Sequence, residues 1–223
     1  MVQGLPPTFG YCLPNINLAK QGNGSLFFGT TSQSYPFKVP LLRIPMTITD
    51  QYYLRLTGVE MLTSKTNAAA AKNKLSLTTK GGLSVAVSSS AEYISFPAHV
   101  YDYIHNEILK SLSDRGIPEY KFTLLLYPTS GCYDFKNTDI LASPKIKLTF
   151  SNKYDVVLDA SNYFYLTQGT VSCLRIYKQD TSTIGIIAQQ GRLVEFDLAK
   201  KTLGISEPLS KFNKSCALKF PSK

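Results

Sequence analysis

Short alternating runs of apolar and polar residues dominate the chain. Tyr53-Leu54-Arg55-Leu56-Thr57-Gly58-Val59 alternates, and so does Lys145-Ile146-Lys147-Leu148-Thr149-Phe150, with lysines on one face and Ile146, Leu148 and Phe150 on the other. A period of two is the mark of a half-buried strand. Residues 162–166, 171–177 and 193–198 read as strands on the same grounds. One segment has a different period. Val100, Ile104, Ile108 and Leu112 recur every four residues, with Tyr101 and Leu109 beside them. This spacing lines one face of a helix. Pro97 stands near its first turn, where a missing N–H costs nothing, and Gly116 and Pro118 stop it. Residues 64–74, with the alanine run 68–71, lack either period and read as a loop or a short, weak helix. No internal repeat and no interdomain linker is visible. The pattern predicts a mainly β domain with one main helix near 97–115.

Composition agrees and narrows the class. Tyr (14) and Phe (12) are abundant, as half-buried strands prefer, and prolines and glycines punctuate the runs. At 223 residues the chain is one large domain or two small ones. With 43% apolar and 17% charged residues it is neither disordered nor fibrous. No run approaches the ~18 apolar residues of a membrane span, and no signal peptide is visible at the start. The net charge is +9. Its lysines are spread out, among them those at 72, 110, 121, 145, 153, 178 and 200, and the tail (211, 214, 219, 223) is dense. Nucleic-acid binding needs clustered charge with aromatic platforms, so the charge implies only weak affinity for polyanions, acidic polysaccharide included.

Familiar chemistry is sparse. The four cysteines, at 12, 132, 173 and 216, have no C-x-x-C spacing and lie far in sequence from His99 and His105, which argues against a metal site. Widely spaced and even in number, they fit two disulfides or four buried thiols, with three possible pairings. Asn23-Gly24-Ser25 and Asn213-Lys214-Ser215 match the N-glycosylation acceptor pattern. Ser88, Ser89 and Ser90 lack the Gly-x-Ser-x-Gly elbow of serine hydrolases. His99 and His105 are about 600° apart around a helix and read as solvated surface residues. No phosphate loop or dinucleotide fingerprint occurs, and no cofactor is expected.

The informative signal is an ordered series of short segments. It runs Phe9-Gly10-Tyr11-Cys12-Leu13-Pro14, Gly24-Ser25-Leu26-Phe27-Phe28-Gly29, Tyr52 to Val59, Phe96-Pro97 with Val100-Tyr101, and Gly131-Cys132-Tyr133-Asp134-Phe135. Ser143-Pro144 with Lys145 to Phe150, Ser182 to Gly191, Val194-Glu195-Phe196-Asp197 and Leu203-Gly204-Ile205 complete it. In this order and spacing the chain resembles, from about Phe9 to Cys216, the C-terminal lobe of plant pepsin-like aspartic proteases. These are the nepenthesin-like and nucleoid-protease-like enzymes and the related xylanase-inhibitor-like proteins.

The resemblance implies one lobe of a pepsin-like double-ψ β-barrel. Residues 1–29 would form an N-terminal strand region and 30–220 the C-terminal lobe, with the N-terminal lobe absent. In this family each lobe contributes one Asp to a shared cleft, and the pair shares a proton because two adjacent carboxylates cannot both ionise cheaply. Counting back from Pro97, the catalytic Asp falls at Ser88, and the rest of the Asp-Ser/Thr-Gly-Thr loop at Ser89, Ser90 and Ala91. Between Glu60 and Glu92 there is no acidic residue. The loop is therefore expected to be vestigial and the chain inactive as a protease. The crossing segment that packs beneath this loop in the family survives at Ile184-Gly185. Family precedent pairs Cys12 with Cys216 and Cys132 with Cys173. It also implies a secretory, extracellular or vacuolar location, with plastid as the alternative. Three functions follow from the resemblance: a dead lobe acting by binding, an inhibitor of a glycoside hydrolase, or a subunit needing a separate N-terminal lobe. The inhibitor reading would use the loops at 129–137 and 179–183. An isolated lobe is also expected to self-associate through the surface that normally meets its twin.

Overall fold

The computed structural model describes residues 6–15, 23–30, 38–63, 74–78, 81–120, 131–135 and 140–216. Most of the unperiodic segment 64–74 lies outside these residues. The chain divides into two compact units, residues 1–54 with 189–223, and residues 55–188.

The first unit is an antiparallel sheet built from both ends of the chain. Its strands are β1 (Thr8–Cys12), β2 (Ser25–Phe28), β3 (Leu41–Ile48), the start of β4 (Tyr52–Leu62), β15 (Leu193–Asp197) and β16 (Thr202–Ser206). They lie in the order β2-β1-β15-β16-β3-β4. One row across this sheet has an unusual composition. Gly10, Glu195, Gly204 and Arg43 are successive register partners on β1, β15, β16 and β3. The glycines leave room for their neighbours. A Cβ at Gly10 would collide with the Phe27 ring and the Val194 carbonyl, and one at Gly204 would lie 3.3 Å from the Arg43 guanidinium. Arg43 reaches past Gly204 to pair with the fully buried Glu195 carboxylate. Phe9 stacks on Phe196 at 4.9 Å, and Tyr52 packs against the same ring. Cys12, Phe27, Leu193, Leu209 and Cys216 form a buried cluster.

The second unit carries the helix and the remaining strands. Its strands include β6 (Leu83–Val87), β7 (Ile94–Phe96), β9 (Lys145–Phe150), β10 (Tyr154–Leu158), β13 (Ile176–Lys178) and β14 (Thr183–Ile184), with the short β5 (Lys74–Ser76) against β4. β9 pairs with β4 on one side and β10 on the other. A separate antiparallel sheet runs β11 (Phe164–Gln168), β12 (Val171–Leu174), β8 (Cys132–Asp134).

The helix, α1 (Ala98–Asp114), buries Val100, Ile104, Ile108 and Leu112. Pro97 caps its start, and its carbonyl accepts the N–H groups of Val100 and Tyr101. Its end is closed by paired bonds, Gly116 N–H to the Ser113 carbonyl and Ile117 N–H to the Leu112 carbonyl. Gly116 takes the left-handed conformation this motif requires, at φ 65°. α1 packs on β7 and β13.

Several boundaries differ from the sequence pattern. Residues 160–162 form a 3-10 turn, so the strand expected from 162 starts at Phe164. The run 171–177 breaks at Arg175 into β12 and β13, because the Arg175 carbonyl turns aside to accept the Ile94 N–H. β3 passes through Pro45, which alternation alone did not mark as a strand.

Candidate functional site

The serine loop follows β6 and is held from below by β14. This two-residue strand lies between β6 and β7, parallel to the first and antiparallel to the second. The chain thus crosses between two strands that the loop itself connects. Ala86 N–H donates to the Ser182 carbonyl at 2.9 Å, and Ser88 N–H to the Ile184 carbonyl at 3.1 Å. Beyond the crossing, Gly185 N–H reaches the Tyr93 carbonyl at 3.0 Å and Ile186 N–H the Ala91 carbonyl at 2.7 Å. A Cβ on Gly185 would collide with both carbonyl oxygens, so only glycine permits so close a backbone approach. The short helix α2 (Ile186–Gln189) continues from there.

Within the loop, Ser88 is the focus. Its Oγ accepts the N–H groups of Ser90 and Ala91, each at 3.2 Å, and lies 3.0 Å from the Ser90 hydroxyl. Ser88 is half-buried, while Ser89 and Ser90 are exposed. Two backbone donors thus converge on one side-chain oxygen. A carboxylate would suit that position well, because charge strengthens each such bond. A serine hydroxyl accepts the same bonds but is far too weak an acid to share its proton as a carboxyl group does. Glu92 is exposed at the loop's far end, next to Tyr93. Among the described residues no three metal-ligating side chains converge.

The other candidate residues are dispersed. Cys12 is bonded to Cys216, and Cys132 to Cys173, which is its register partner across β8 and β12. Asn23 and Asn213 are exposed. His99 is exposed, and His105 stacks on Tyr101 at 5.0 Å on the outer face of α1. Of the loop 129–137, only Gly131–Phe135 lies within the described residues, whereas residues 179–183 are all described and 179–181 are exposed.

Alternation missed a strip of half-buried side chains beginning at the loop's far end. The Tyr93 ring meets Tyr177 edge-on at 5.2 Å, the Tyr177 hydroxyl lies 3.4 Å from the Arg175 guanidinium, and Arg175 sits 4.9 Å over the Tyr165 ring. The partial signal was the abundance of tyrosine. Its placement depends on the break at Arg175.

Comparisons with known proteins bear on this arrangement. A family model described as "Xylanase inhibitor C-terminal" matches residues 51–207. The chain is similar in structure to basic 7S globulin from soybean, at 20% identity and a TM-score of 0.73, covering 99% of this chain and 56% of that one. It is similar to conglutin gamma, a basic 7S globulin from lupine seeds, at 20% identity and a TM-score of 0.72, covering 96% and 54%. It is also similar to edgp, at 19% identity and a TM-score of 0.68, covering 95% and 56%. The chain therefore spans little more than half the length of these structures. Among curated protein sequences none matches. The fold is a mainly β, pepsin-like lobe with one main helix, and the chain belongs to the xylanase inhibitor C-terminal family.

Proposed function

We propose that this chain is an aspartic-protease-like lobe without turnover, acting by binding. The observation that carries the reading is Ser88 in a loop whose backbone support is complete. Two N–H donors, the β14 crossing and Gly185 are in place, while residue 88 has no carboxylate. Hydrolysis by this family's chemistry needs an acid–base pair of carboxylates, and the loop supplies none. In this reading residues 30–220 make up the lobe and residues 1–29 its entering strands. No cofactor takes part. The test is cleavage of a denatured protein substrate at acid pH, with and without pepstatin. No pepstatin-sensitive cleavage is expected, and clear cleavage would overturn the reading.

The family match favours a second reading, inhibition of a glycoside hydrolase. The exposed segment 179–181, beside the tyrosine strip, is the described loop that would enter a target's cleft. Co-purification with a fungal xylanase, lost when Gln179 and Asp180 are replaced by glycine, would support it. An N-terminal protease-like lobe as partner is the third reading, in keeping with the half-length coverage of the similar structures. Two disulfides suit an oxidising compartment, so a secretory, extracellular or vacuolar setting is proposed in preference to a plastid one. Self-association and weak attraction to polyanions are part of the same proposal.

A further inference from the structure

The two Asn-x-Ser sequences, far apart in the chain, meet at one corner of the first unit. Asn23-Gly24-Ser25 leads into β2, where Ser25 is the register partner of Cys12. Asn213-Lys214-Ser215 leads directly to Cys216, which is bonded to that same Cys12. Both asparagines, Gly24, Lys214 and Ser215 are exposed. Asn213 caps the 3-10 turn Leu209–Phe212 in the left-handed conformation, φ 52° and ψ 39°, which asparagine tolerates better than most residues. Large apolar side chains beside these sequences face water. Leu26, next to Ser25, is 63% exposed, and Phe212, next to Asn213, is 37% exposed.

We propose that Asn23 and Asn213 both carry N-linked glycans, which together cover this corner and screen Leu26 and Phe212. An attached glycan is bulky and solubilising, and an exposed surface position is where one is tolerated. The donor is an oligosaccharide linked to a lipid diphosphate. The asparagine Nδ2 bonds to C1 of the first sugar, the C1–O bond to the diphosphate breaks, the diphosphate leaves with the electron pair, and one amide proton passes to base. In the folded chain both acceptor sequences are tied down, one by the β1–β2 ladder and one by the bridge at Cys216. The proposal rests on passage through the secretory pathway but not on Ser88 or on any binding activity, so it fails or stands separately from the functional reading.

The test expresses the full chain behind a cleavable secretory leader in a eukaryotic host. Glycans are removed enzymatically in heavy-oxygen water and the peptides mapped. Both microsomal and secreted material are read, so poor export does not decide the result. Label at both Asn23 and Asn213 is expected, with Asn23→Gln and Asn213→Gln each removing one glycan. Label at neither, or at only one, would overturn the shared corner. Sedimentation of the glycosylated and enzymatically stripped proteins tests the screening: more self-association is expected after stripping, and unchanged sedimentation would refute that role.

Discussion

At the scale of single residues, what matters is that two backbone N–H groups converge on the side chain of Ser88. A hydroxyl accepting two backbone N–H groups makes ordinary hydrogen bonds. A carboxylate accepting the same groups would be held in its charged form. Ser88→Asp is therefore expected to fold, with its carboxyl pKa below the usual carboxylate range, measurable by NMR titration. A pKa at or above that range would show that the donors do not converge on the side chain. The variant is expected to gain no protease activity, because a single carboxylate does not form the proton-sharing pair. The lack of an acid in this loop was legible in the sequence, since no Asp or Glu lies between Glu60 and Glu92. The two donors converging on Ser88 were not, because their placement depends on how the loop closes over β14.

At the scale of elements, the crossing of β14 between β6 and β7 positions the loop, and Gly185 makes it possible. Gly185→Ala would force a methyl group against the Tyr93 and Ala91 carbonyls, which are backbone atoms and cannot swing aside. The expected cost is about 3 kcal/mol or more, at or beyond the upper end of ordinary overpacking. Denaturant unfolding checks it, and an unchanged midpoint would mean that the crossing is looser than the geometry shows. The helix was legible from its four-residue period, and its stop from Gly116. The crossing was legible only through family likeness, because a two-residue strand has no period of its own. The breaks at residues 160–162 and at Arg175 were illegible for a related reason: backbone groups there bond to distant partners, so local alternation says nothing of them.

At the scale of the whole molecule, covalent closure and buried phenols each add a testable contribution to the stability that the apolar core supplies. The Cys12–Cys216 bridge has a sequence separation of 204 and Cys132–Cys173 one of 41. Loop-closure entropy assigns them about 5 and about 4 kcal/mol, as upper values. Replacing the first pair with serine is expected to lower the unfolding midpoint more than replacing the second, as checked by thermal unfolding at neutral pH. Alkali offers a second handle. Burial pushes Tyr133 up to about 12 and raises Tyr11 and Tyr163 further. Unfolded tyrosines lose their protons near ~10, while these three keep theirs in the fold. Above that pH the unfolded state binds fewer protons than the native one, so stability falls as pH rises. The contribution of these three groups is intact below about 10 and declines from there through about 12 and beyond. Phenolate absorbance at 295 nm should show a late fraction that ionises only together with unfolding. A single smooth titration near 10, with the fold intact, would count against the burial of these rings.

The sequence by itself determined the class of elements, the helix and its limits, the family, and the absence of an acid from the loop. Each depends on residue identity or on spacing within a few turns, where chain geometry converts pattern directly into structure. The tertiary structure alone decided which distant groups meet. It set Arg43 beside the buried Glu195 across a glycine, converged two N–H groups on Ser88, ran tyrosines and an arginine from the loop's far end, and brought Asn23 and Asn213 to one disulfide. Such meetings depend on sheet order and register, which are settled by the burial of whole faces and by close backbone approach rather than by any local run of residues.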